Sequence, residues 1–130
     1  MHTSAWFNNP VNNRPSEMLN ADIKIWKNSK NQLHRVEKDP VTGQTLPAYI
    51  NRYGDQHWYV NGQLHRTEKH KNSKKTLPAV KNINGYREWR KHGKLHRTDT
   101  TAGRLLPAVI FSNGNTQYWV EDHQLPKSNL

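Results

Sequence analysis

One phrase recurs along this chain and limits what it can become. Leu33-His34-Arg35, Leu64-His65-Arg66 and Leu95-His96-Arg97 follow one another at intervals of 31 residues, while Leu46-Pro47-Ala48, Leu77-Pro78-Ala79 and Leu106-Pro107-Ala108 follow at 31 and 29. Trp26, Trp58, Trp89 and Trp119 keep step at 32, 31 and 30. A fixed period of this kind marks a repeat array, in which each unit buries its apolar face against its neighbours instead of joining one broad core. Four units follow, near residues 15–46, 47–77, 78–106 and 107–130, the last stopping near Leu125 with Pro126 where the His would fall.

The apolar share of the chain agrees with an array. Only 32% of the 130 residues are hydrophobic, against about 45–50% in an average globular domain, so order must come from stacking a few large side chains. The Trp series is the natural core, each ring contributing on the order of 150–250 Å² of buried surface. Residues 1–14 fall outside the repeat, and Trp6-Phe7 equips them to cap its open end.

Within a unit the punctuation is that of short antiparallel strands. Asn61-Gly62, Asn84-Gly85 and Asn113-Gly114 suit tight turns, because Asn and Gly both tolerate positive φ. Strand-like runs such as Ala48-Tyr49-Ile50, His57-Trp58-Tyr59-Val60 and Leu64-His65-Arg66-Thr67 surround them. No window shows helical periodicity without a Gly or Pro interruption. The expected fold is all-β: an extended, twisted antiparallel meander of roughly ten to twelve strands, three per unit. Polar loops at His70–Thr76 and Thr100–Gly103 link the copies.

The pattern W-Y-x-N-G-x-L-H-R at Trp58–Arg66, with an acid two residues after the Arg (Glu37, Glu68, Asp99) and a later Pro-Ala, resembles the MORN-like repeats of bacteriophage and giant-virus proteins. The resemblance covers roughly residues 15–125; the link to Pro-Ala is longer here and carries Leu in place of Gly. It implies a hairpin-repeat fold, a viral origin, and contact with protein or lipid without a reaction.

The repeated polar residues read first as structure. Arg35, Arg66 and Arg97 precede their acids by two, which puts each pair on one side of a strand as a local ion pair. His34, His65 and His96 are expected to donate to neighbouring strands or pack on Trp. They are not expected to share a metal, since three strands per unit separate them by about 14 Å. With no Cys, no phosphate-cradling Gly loop and no Ser or Thr beside a base, the sequence points to a non-enzyme without cofactors. A weak metal-dependent nuclease using the scattered His is the catalytic alternative.

Charge supplies the functional signal. The chain carries +10 overall, and residues 66–97 hold eleven Lys and Arg against two acids, a net +9. Such concentration within one repeat length is what a local anionic contact requires. The residues assigned to that contact are Lys69, Lys71, Lys74, Lys75, Arg87, Arg90, Lys91 and Lys94. Their partner is nucleic acid or an acidic protein surface, a contact that could blunt a host defence, with a structural role in a virion as the alternative. No run of about 18 apolar residues exists to span a bilayer, and no signal-peptide core follows Met1. The expected location is therefore cytoplasmic, in the host cell if the protein is viral. The oligomeric state is left open.

Overall fold

The computed structural model describes residues 15, 17–20 and 22–127, with backbone alone for 17–20. The expected cap at 1–14 lies outside the described residues. The described residues form fifteen short strands: β1 (Glu17–Asn20) and β2 (Ile23–Ile25) in the first unit; β3 (Tyr49–Asn51), β4 (Gln56–His57), β5 (Tyr59–Val60) and β6 (Gln63–Leu64) in the second; β7 (Val80–Lys81), β8 (Arg87–Glu88), β9 (Arg90–Lys91), β10 (Lys94–Leu95), β11 (Thr100–Thr101) and β12 (Arg104–Leu105) in the third; β13 (Val109–Ile110), β14 (Thr116–Val120) and β15 (His123–Leu125) in the fourth. Among the described residues there is no helix long and apolar enough to cross a membrane.

The all-β antiparallel meander expected from the sequence is the observed architecture. A nine-stranded sheet runs β1-β2-β3-β4-β7-β8-β13-β14-β15, every neighbouring pair antiparallel. Strand number exceeds the expected ten to twelve because the long strands of the second and third units change partner at Trp58 and Trp89, and because one linker is itself paired as β11–β12. His57 still pairs with β3 and β7, whereas Tyr59-Val60 turn away to pair with Gln63-Leu64. At the crossover Trp58 gives its N–H to Ala79 O of the next unit and accepts at its carbonyl from His65 N of its own. Trp89 does the same with Ala108 O and His96 N.

Two kinds of turn stand where the Asn-Gly signal suggested one. Asn61-Gly62 is a two-residue hairpin turn with φ of 50° and 82°, as the dipeptide implies. His92-Gly93 and Glu121-Asp122 occupy the same place with φ positive at both residues. Asn84-Gly85 and Asn113-Gly114 instead sit in longer turns where only the Gly is left-handed. There Asn84 Oδ1 accepts from Tyr86 N and Asn113 Oδ1 from Asn115 N, the side-chain capping typical of Asn in turns.

The polar connections are themselves hairpins, which corrects the loop expectation. Lys38 bridges to Thr45 and Lys69 to Thr76, and β11 pairs with β12 at the corresponding place. Asp39 Oδ1 gathers the N–H groups of Val41 and Thr42, and His70 Nδ1 gathers those of Asn72 and Ser73. In the third unit this hairpin turns on Ala102-Gly103 alone, so the copy is two residues shorter and the Pro-Ala spacing falls to 29.

The core is one narrow seam. Ile25, Trp26, Ala48, Trp58, Ala79, Val80, Trp89, Ala108 and Val109 are buried, and Arg35, Arg66 and Arg97 are buried with them. The fourth place in the Trp series is not held by Trp119. Val109 pairs with both Glu88 and Gln117, so Gln117 matches Glu88 and Tyr118 matches Trp89, while Trp119 matches Arg90 and Tyr59. The same frame puts Leu125 where the repeated His stands and Pro126 where the Arg stands.

Candidate functional site

Each repeat builds one polar stack around its Trp, made of the residues the sequence repeats. The guanidinium of Arg35 lies 3.9 Å from the ring centre of Trp26, and Arg66 on Trp58 and Arg97 on Trp89 repeat the distance. Among the described residues no two Trp rings stack on each other, so the expected Trp-on-Trp column is replaced by Trp-on-Arg layers. The planar guanidinium stacks on an indole face and still donates in its own plane. Nη1 donates to the carbonyls of Pro47, Pro78 and Pro107 at 3.0–3.1 Å. Nε donates to Glu37, Glu68 and Asp99 at 2.8–3.0 Å, so the ion pairs expected from the i+2 spacing are present, though with the Arg inside the fold.

The acids tie one unit to the last. Glu68 also accepts from Thr45 N and Oγ1, and Asp99 from Thr76 N and Oγ1. Burial pushes the Glu68 carboxyl up, but the hydrogen bonds from Thr45 and Arg66 outweigh it and hold it below the ordinary range; Asp99 follows the same balance. Burial in turn lowers the pKa of Arg35 and Arg66, against the pull of their Glu partners. An Arg ladder that grips phosphate is incompatible with these partners.

The repeated His accepts where donation to a neighbouring strand was expected. His34 Nδ1 takes the N–H of Asn61, His65 Nδ1 that of His92, and His96 Nδ1 that of Glu121, each from the hairpin turn of the following unit. His65 also lies against the His92 ring at 4.4 Å between centres.

The eight residues assigned to the anionic contact do not form one surface. Arg90 is neutralised by Glu88 at 2.7 Å and donates to Gly93 O. Lys75 Nζ is tied to Thr100 O. Arg87 gives Nη1 to Asn82 O and Tyr86 O and lines a different cleft from the rest. Lys69, Lys71, Lys74 and Lys91 are exposed and make no ion pair among the described residues. Exposed Lys94 has only a loose pair with Glu121 at 3.8 Å.

Lys69 and Lys91 share a cleft of about 210 Å³ between the linker hairpin of one unit and the β9–β10 hairpin of the next. An equivalent cleft of about 280 Å³ lies one unit earlier, where Val60 stands in place of Lys91 and Val36 in place of Thr67. Lys91 is directly opposite Lys94 across the β9–β10 pair, whereas the second unit has Val60 opposite Gln63 and the fourth Val120 opposite His123. Like charges in direct cross-strand register destabilise a hairpin, so this pair is a cost that the fold avoids in the second and fourth units. No protein-family model, curated protein or solved structure matches the chain.

Proposed function

We propose that the chain is a non-enzymatic binding protein of the MORN-like, phage type, acting in the host cytoplasm and holding the phosphate backbone of nucleic acid with its basic third unit and the linker hairpin that leads into it. The observation that carries this reading is the cross-strand pair Lys91–Lys94, two exposed cations placed opposite each other where the second unit has Val60 and Gln63 and the fourth Val120 and His123. Lys69 joins Lys91 in one cleft, and Lys71 and Lys74 lie in the adjoining linker hairpin. Every exposed cation of the group is Lys, which engages phosphate as a point charge with little geometric demand. Lys74 adds a second cost: it holds φ at 63° where the first unit has Gly43.

The test is binding of labelled duplex DNA and RNA across a salt series. Log affinity is expected to fall against log salt with a slope of about −0.9 per neutralised phosphate on B-form DNA. Replacing Lys69, Lys71, Lys74, Lys91 and Lys94 together by Gln should flatten that slope. Saturable capture of one acidic protein at physiological salt, lost in the same variant, would assign the surface to protein instead. Retention of nucleic acid by the five-fold variant would overturn the reading.

A further inference from the structure

A second cationic pair lies on the Trp face of the sheet, away from the surface proposed above. Lys81 and Arg87 are direct cross-strand partners in the β7–β8 pair, so their side chains leave the same face side by side. The corresponding pair is Ile50–Gln56 in the second unit and Ile110–Thr116 in the fourth. The fold therefore accepts an apolar and a neutral residue here, and only the third unit places two charges.

Their setting is concave. Both line a cleft of about 290 Å³ whose walls include Leu46, Pro47, Leu77 and Pro78 from two successive linkers, with the edges of Trp58 and Trp89. This is close to the lower bound of about 300 Å³ for small-ligand sites, and an apolar wall with a few convergent polar groups is their usual composition. The cations are not neutralised within it. Among the described residues, exposed Lys81 makes no ion pair, and Arg87 uses Nη1 on backbone carbonyls while its Nε and Nη2 make no hydrogen bond. The acid in the lining, Asp39, has its Oδ1 turned to the N–H groups of Val41 and Thr42. Arg66, also in the lining, is spent on Glu68 and Pro78.

We infer that this cleft binds a small organic phosphate of mononucleotide size, its phosphate held by Lys81 and Arg87 and its ring body lying against Leu46, Pro47, Leu77 and Pro78. Neither Lys91 nor Lys94 lines this cleft, so the site is separate from the Lys91–Lys94 surface. Trp58 and Trp89 border it, which makes intrinsic fluorescence a local reporter.

The probes are adenosine 5′-monophosphate, adenosine and inorganic phosphate, titrated against the full chain at fixed ionic strength. Adenosine 5′-monophosphate should shift the Trp emission saturably, and adenosine and inorganic phosphate should each bind more weakly by about tenfold or more, each lacking one half of the contacts. The variant Lys81→Ile/Arg87→Gln carries the residues of the second unit and should stay folded while losing about tenfold or more of the affinity. Lys91→Val/Lys94→Gln should leave the titration unchanged. Equal affinity for adenosine removes the phosphate contact, and equal affinity for inorganic phosphate removes the apolar one; either overturns the inference. So does unaltered binding by the folded Lys81/Arg87 variant, or the absence of any saturable shift.

Discussion

The guanidinium of Arg66 lies 3.9 Å from the centre of the Trp58 ring and reaches from there to Pro78 O and Glu68 in its own plane. One buried cation thus links Trp58 and Glu68 of its own repeat to the start of the next unit. Removing the Arg leaves Pro78 O without its donor and Glu68 without its guanidinium partner, each at a cost of about 1–3 kcal/mol. Arg66→Ala should therefore unfold at markedly lower denaturant, and Arg66→Lys should recover little, because an ammonium cannot stack flat and donate to two separated acceptors. Urea unfolding of the two variants decides the point; a Lys variant close to wild type would mean that charge alone suffices.

The rings themselves should differ by position. Trp89 is 6% exposed and gives Nε1–H to Thr76 O, whereas Trp119 is half-buried and gives its Nε1–H to the side chain of Gln117. Trp89→Ala should cost about 3–5 kcal/mol, the range for deleting a buried large aromatic. Trp119→Ala should cost distinctly less. Equal losses in thermal melts would restore Trp119 to the core series from which the strand register removes it.

Much of this organisation was legible in the sequence, and the exceptions have physical causes. The period and the turn dipeptides gave an antiparallel meander because both follow from backbone geometry. Trp119 misled because the fourth copy is counted from a shortened third linker, and a one-residue slip in a strand cannot be seen from spacing alone. The Arg-acid spacing was readable as an ion pair, but not its burial, since that depends on a Trp eight or nine residues away closing over the Arg. Two-residue turns at His92-Gly93 and Glu121-Asp122 lack the Asn-Gly signature and so leave no mark in the dipeptide pattern. The basic cluster looked like one site because charge density along the chain does not reveal that Glu88 silences Arg90 or that Arg87 faces the Trp side.

Acid should loosen the junctions between units. Burial, and then the charges of His92 and Lys91, lower the His65 pKa below 6.5, and burial lowers that of His57 as well. A base whose folded pKa is depressed holds fewer protons folded than unfolded, so its stabilisation is full above about 6.5 and declines as pH falls through that value toward the folded one. Below the ordinary carboxylate range a second loss follows, because Asp55, Glu68 and Asp99 have depressed pKa values that acidification must overcome. His65→Asn keeps a neutral acceptor near the Nδ1 position without the titration. Its stability should change less between neutral and mildly acidic pH than that of the wild type, and an unchanged pH profile would remove His65 from the cause.

The strongest separation of fold from function comes from Lys91 and Lys94. Their cross-strand register places like charges together on a two-residue hairpin, and His92, which donates its N–H to His65, completes the turn between them. The second unit shows what the hairpin holds in the absence of that demand: Val60 opposite Gln63 around Asn61-Gly62. Lys91→Val/Lys94→Gln should raise stability by about 0.2–1 kcal/mol at low salt, the usual size of a cross-strand term, with a smaller gain at high salt as screening relieves the wild-type repulsion. The same variant should lose affinity for nucleic acid and part of the salt slope. A gain in stability paired with a loss in binding marks residues kept for a partner at the expense of the fold. A loss of stability instead would show that the two lysine stems pack usefully on the hairpin, and the charge pair would no longer stand as evidence for a binding surface.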